Sequence, residues 1–309
     1  MIRKQNILSI VLLSGSLATG GCVSTDEENL EEPTPISFGS AITRAAVEPD
    51  KTGMENFLVW GGVDGLNNLF DGVAVSPQGH YAGVRYWVPG KLHRFDAVHP
   101  HGLADVSCAE TGVIVVKGFD TSLNRGSAAI DLMTASVAGL GYNEGETPNP
   151  VPLTFSHRLS RVKFVIATDA NVTITDVRLW GLAYKGDFTT RPDAASVWSN
   201  LTHGSQNDTP FQEPEQILLE KGHTFDLLGG ELLLIPQSVT DPVTFSMTWT
   251  YAENGMSRTV TVPLSQAGLA RWEQGKSYQY TATIPLPATD ITLKVDVLDW
   301  NDQRVDADL

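Results

Sequence analysis

Thr244-Phe245-Ser246-Met247-Thr248-Trp249-Thr250-Tyr251 alternates polar and apolar side chains without a break. Successive side chains of a strand point to opposite faces, so this stretch presents Phe245, Met247, Trp249 and Tyr251 together on one side. After Glu253-Asn254-Gly255 the alternation resumes, with Val260, Val262 and Leu264 set against Thr259 and Thr261. The pair reads as a hairpin in which Asn254-Gly255 supplies the positive φ angles. The same period recurs outward along the chain. Val162, Phe164 and Ile166 alternate with Arg161, Lys163 and Val165. Val172 and Ile174 lead into Val177 and Leu179. Ile291, Leu293, Val295 and Val297 alternate with Thr292, Lys294 and Asp296. One apolar and one polar face, strand after strand, calls for antiparallel sheets packed face to face.

The first half carries shorter apolar runs with more turns. They are Phe57-Leu58-Val59-Trp60, Val73-Ala74-Val75, Val84-Arg85-Tyr86-Trp87-Val88, Phe95-Asp96-Ala97-Val98, Val113-Ile114-Val115-Val116 and Leu132-Met133. Turn clusters between runs of this length suit a β-sandwich. The Pro- and Gly-rich run 143–150 reads as a linker, and 189–215 as a long loop. The expected architecture is all-β, with two tandem antiparallel β-sandwich domains at 45–150 and 151–309.

The chain has 309 residues, enough for two domains, with 41% hydrophobic and 18% charged residues. Its formal charge of −15 argues against a nucleic-acid partner. Cys22 and Cys108 are the only cysteines, too few for a disulfide framework or a cysteine metal site. Cys108 reads as a small buried hydrophobe.

Arg3 and Lys4 precede the apolar run 7–13, and Ala18-Thr19-Gly20-Gly21 precedes Cys22. That is a basic, then apolar, then small-residue order, so 1–21 reads as a signal peptide. The run is too short to span a bilayer. A cysteine directly after two glycines resembles a bacterial lipobox, with Cys22 as the lipidated residue. Ser24-Thr25-Asp26-Glu27-Glu28 and Glu31-Glu32 follow as a solvated acidic linker. After Pro33 and Pro35, Ile36, Phe38 and Ile42 fall on one face of a strand. Thr43-Arg44-Ala45 follows at once, and the bond between Arg44 and Ala45 is a candidate protease site. The segment 22–44 thus reads as an acidic linker plus a first strand, which the family resemblance given below makes removable.

The order of these pieces resembles the fimbrillin (Mfa-like or FimA-like) family of Bacteroidetes, the subunits of type V pili. The resemblance rests on Cys22, on Thr43-Arg44-Ala45, on Phe95-Asp96-Ala97-Val98-His99-Pro100 and on Asp131-Leu132-Met133-Thr134-Ala135. It continues through Phe155-Ser156-His157-Arg158-Leu159-Ser160-Arg161-Val162 and Leu232-Leu233-Leu234-Ile235-Pro236-Gln237. It closes with Gly275-Lys276-Ser277-Tyr278 and Val295-Asp296-Val297-Leu298-Asp299-Trp300. Acidic residues behind the lipid-bearing cysteine also resemble a surface-export signal of lipoproteins in that phylum.

The resemblance implies transthyretin-like sandwiches and a cell-surface, outer-membrane location in a fimbria. It implies an adhesion role with no enzymatic activity and no cofactor. It further implies lipid attachment at Cys22 and cleavage after Arg44 by a trypsin-like surface protease. The strand holding Ile36, Phe38 and Ile42 then leaves, and a neighbouring pilin subunit fills the groove. The candidate donor is the terminal segment in which Val305, Ala307 and Leu309 repeat at period two. A pilus tip or anchor subunit is the alternative within the family, since the tail after Trp300 is short. A surface glycan-binding lipoprotein, holding a host or glycan ligand with Trp60, Trp87, Trp180 and Trp198 as stacking platforms, is the alternative outside it.

Other chemistry finds little support. His99-Pro100-His101, with His93 nearby, lacks a third ligand at metal-binding spacing. His157 reads as a structural histidine within a strand. No G-x-S-x-G elbow occurs, and Gly61, Gly62 and Gly65 do not precede a helix.

Overall fold

The structure, a computed structural model, describes residues 32–42, 55–126, 129–192, 194–213, 215–240, 242–286 and 293–300. The chain divides into two units, Met1–Glu32 and Pro33–Leu309. Only Glu32 of the first is described, and everything below concerns the second.

The described residues form four sheets, with a short 3-10 turn at Leu264–Ala267 and no α-helix. The first sheet has the order β1 (Phe38–Ile42), β8 (Val151–His157), β7 (Met133–Gly141), β4 (Leu92–His99), β2 (Phe57–Val63) and β3 (Phe70–Val75). Neighbours are antiparallel except β1 and β8, which run parallel. The second sheet is β12 (Ala194–His203), β11 (Ala183–Arg191), β6 (Val113–Asp120) and β5 (Val106–Glu110). The third is β15 (Thr224–Leu234), β9 (Ser160–Thr168), β18 (Lys276–Ile284) and β19 (Lys294–Asp299). The fourth is β13 (Phe211–Gln212), β10 (Val172–Trp180), β16 (Thr244–Tyr251) and β17 (Ser257–Pro263), with β14 (Ile217–Leu219) also on β10.

The alternating runs bury the side chains that their period demands. Phe245, Met247, Trp249 and Tyr251 are all buried, together with Val162, Phe164 and Ile166 from the third sheet. Phe164 stacks between Phe245 and Tyr280, with centroids at 5.2 and 4.9 Å. In β10 the buried set steps from Ile174 to Val177, because a bulge at Asp176 (φ 52°) adds one residue and resets the phase. The hairpin between β16 and β17 is present, but its loop is wider than a two-residue turn. Thr250 pairs with Ser257, and only Gly255 takes a positive φ, 68°.

The sheets run across residue 150: β8, starting at Val151, hydrogen-bonds within the first sheet, and β6 pairs with β11 of the second half. Two expectations change. Residues 189–215 are not one loop, since they contain β12. That strand lies at a sheet edge with its side chains half-buried or exposed, so it needs no apolar period. Residues 84–88 form no regular strand and instead meet the segment ahead of β1.

Candidate functional site

The first strand sits in a closed apolar slot. Residues 33–37 enter it beside residues 85–87. The Ile36 amide donates to the Arg85 carbonyl at 2.8 Å, and the Trp87 amide donates to the Thr34 carbonyl at 3.0 Å. The chain then changes partner. The Val151 amide donates to the Ser37 carbonyl at 2.8 Å, and from Phe38 to Ile42 the strand runs parallel to Val151 through Phe155. Ile36 and Phe38 are buried. Ile42 pairs with Phe155 through the backbone.

Phe38 is the plug of the slot. Its ring meets Phe70 at 5.1 Å, Phe95 at 5.6 Å and Tyr81 at 5.9 Å, each edge to face. Phe70 belongs to β3, the far edge of the sheet from β1, so the sheet curls until its two edges meet around this ring. Residues 76–88 bind the seam from outside. The Tyr81 hydroxyl donates to the Ile36 carbonyl at 2.7 Å, and burial pushes that phenol above its ordinary value. The Arg85 guanidinium lies over the Phe70 ring at 4.8 Å and the Tyr81 ring at 5.5 Å. Gly79 has φ +86°, and a Cβ there would stand 2.3 Å from the Phe38 carbonyl oxygen, so only glycine lets this strap approach. The strap was invisible to periodicity. Its signals are a glycine, a tyrosine and an arginine in an irregular run.

The other end of the chain is rooted between the sheets. Antiparallel pairing holds β19 on β18, from Lys276 against Asp299 to Thr281 against Lys294. Trp300 then stacks on His157 with centroids 4.3 Å apart and planes 10° apart, and the Arg161 guanidinium lies 5.6 Å from its ring. His157 Nδ1 is 2.6 Å from Asp131 Oδ2. Three separate sequence pieces, carrying Asp131, His157 with Arg161, and Trp300, therefore meet at the base of the C-terminal segment. Val297, expected on an apolar face, is 51% exposed at this sheet edge.

Cys22, Arg44, Ala45, Val305, Ala307 and Leu309 lie outside the described residues. Among the described residues, no group of three or more His, Cys, Asp or Glu side chains is placed to hold a metal. His93 and His99 have both ring nitrogens occupied by backbone. In each ring Nε2 accepts, from the Val88 amide at 3.1 Å and the Glu55 amide at 3.3 Å. Nδ1 is therefore protonated and donates to the Leu140 and Asp131 carbonyls, each at 3.2 Å. Burial lowers both pKa values. His101 is exposed. Cys108 is buried, with its thiol raised above its ordinary value by desolvation. Trp60 and Trp87 are core side chains rather than stacking platforms, whereas Trp180 and Trp198 are half-buried. Among the described residues no helix is long and apolar enough to cross a membrane.

Known structures share this architecture. A fimbrial protein from Bacteroides vulgatus superposes with a TM-score of 0.54 at 14% identity, covering 85% of this chain and 99% of that one. Proteins provisionally assigned to cell adhesion from Bacteroides ovatus and Bacteroides uniformis are each 17% identical. They give TM-scores of 0.54 and 0.51, cover 88% and 86% of this chain, and are themselves 99% covered. At such identities the likeness is one of fold. No curated protein matches the sequence. The fimbrillin-like family matches residues 43–300, so the chain belongs to that family of fimbrial subunits, cell-surface proteins without enzymatic activity.

Proposed function

We propose that this fimbrial subunit builds the shaft of a type V pilus by strand exchange triggered by proteolysis. The observation that carries the reading is the slot around Ile36 and Phe38, a groove walled by β8 on one side and by residues 76–88 on the other. The subunit reaches the outer membrane with lipid on Cys22 and with its own first strand filling the groove. A trypsin-like surface protease cuts between Arg44 and Ala45, and the strand bearing Ile36, Phe38 and Ile42 leaves with the lipid.

The physical logic is a change in effective concentration. While the strand is tethered, an outside strand competes against an intramolecular rival at a concentration on the order of millimolar or more. Cleavage removes the tether and exposes Phe70, Phe95 and the unpaired backbone edge of β8, which is a template for a new strand. A second subunit supplies one from its terminal segment, with Val305, Ala307 and Leu309 entering alternate pockets. Main-chain hydrogen bonds hold the donor and the pockets set its register. The contact is head to tail and does not close, so it extends as a filament.

The test is Arg44→Ala in the native host. Lipid-bearing precursor should accumulate on the surface, and fimbriae should be absent. Fimbriae of normal length from that variant refute the trigger.

A further inference from the structure

A cleft of about 800 Å³ opens where β12 faces residues 236–240, 242–243 and 271–274. That size is typical of small-ligand sites. Its walls include Arg158, Arg271, Trp198, His203 and Gln274.

Arg158 carries the argument. Its Nε donates to the Thr134 hydroxyl at 2.7 Å, a neutral partner. Burial pulls the guanidinium below its ordinary value, and no charged group among the described residues offsets this. A chain with 36 acids to 21 bases has no shortage of carboxylates for an ion pair. A half-buried cation without one is costly, and an anionic ligand is the natural compensation. Arg271, exposed on the same wall, also forms no ion pair among the described residues. Trp198 is braced from behind by Phe119 and Phe188, at 5.9 and 5.2 Å, and its remaining surface lines the cleft. The Gln274 Oε1 accepts from Ser196, which fixes the amide and directs its NH2 group. Two guanidinium groups, a braced aromatic ring and an oriented amide lining one cleft suit a pyranose bearing a carboxylate.

We infer that this cleft binds an acidic saccharide, a uronic or nonulosonic acid, with its carboxylate on Arg158 and Arg271 and an apolar sugar face on Trp198. The site is independent of the strand-exchange groove and does not rest on that mechanism.

The test is calorimetric titration of the full chain with 3′-sialyllactose, with a galacturonic acid dimer and with neutral lactose, at up to about 10 mM for a Kd near 1 mM. Binding of at least one acid, with lactose at least tenfold weaker, is expected. Arg271→Gln, at an exposed position, should weaken the acid at least tenfold. Arg158→Met should abolish binding yet leave the unfolding temperature unchanged or higher, because it removes an uncompensated buried charge. A purely structural Arg158 would instead lower it. Equal binding of lactose, no binding of either acid, or full binding by Arg271→Gln overturns the assignment. Tighter binding of an acidic peptide, competing for the same site, overturns the saccharide class.

Discussion

Phe38 holds the first strand through three aromatic contacts, with Phe70, Phe95 and Tyr81. Truncating it to alanine removes a buried ring and should cost the uncleaved precursor about 3–5 kcal/mol. Chemical denaturation of the Phe38→Ala precursor measures this, and an unchanged midpoint would mean the slot does not depend on its plug. The two buried histidines of β4 predict a pH response. Their folded pKa values lie below the unfolded value of about 6.5, so their contribution is complete above that pH and is lost as pH falls through the folded values. The main cause is burial, and the geometry agrees with it, since protonation turns Nε2 from an acceptor into a donor facing an amide. Thermal stability should therefore drop between about pH 7 and pH 5, and replacing both His93 and His99 with Gln should flatten that slope. An unaltered slope would place the titration elsewhere. Phe38 was legible because it obeys the period of two. The histidines were not, since their partners are backbone atoms, three of the four from distant segments, which no spacing reveals.

The elements that frame the groove differ in how plainly the sequence announces them. Strands with one buried face, such as β9 and β16, were readable from their alternation. The strap at 76–88 and the edge strand β12 were not, because the first is irregular and the second is mostly exposed. Parallel pairing between β1 and β8 was equally hidden. Alternation states which side chains face the core, not which strand lies alongside. At the opposite end, the stack of Trp300 on His157 and the grip of β18 on β19 fix where the terminal segment starts. Deleting residues 305–309, beyond that anchor, should leave a folded monomer that accepts a strand but cannot donate one. Electron microscopy of the cleaved variant should show no chains of subunits, and chains of normal length would move the donor elsewhere.

Over the whole molecule, the second sheet links the two halves of the chain. It takes β5 and β6 from the first half and β11 and β12 from the second, so one hydrogen-bonded sheet draws on both. The Pro- and Gly-rich run before Val151 looked like a linker because it is polar and rich in turns, yet it leads directly into an inner strand of the first sheet. In the proposed mechanism this arrangement would keep the remainder of the chain in place as β1, an edge element, departs. The most direct test is the N-terminal sequence and intact mass of the subunit recovered from purified native fimbriae. A chain beginning at Ala45, without lipid and without Phe38, is the expected result. A chain in the fibre that still begins at lipidated Cys22 and keeps its own first strand would contradict the mechanism.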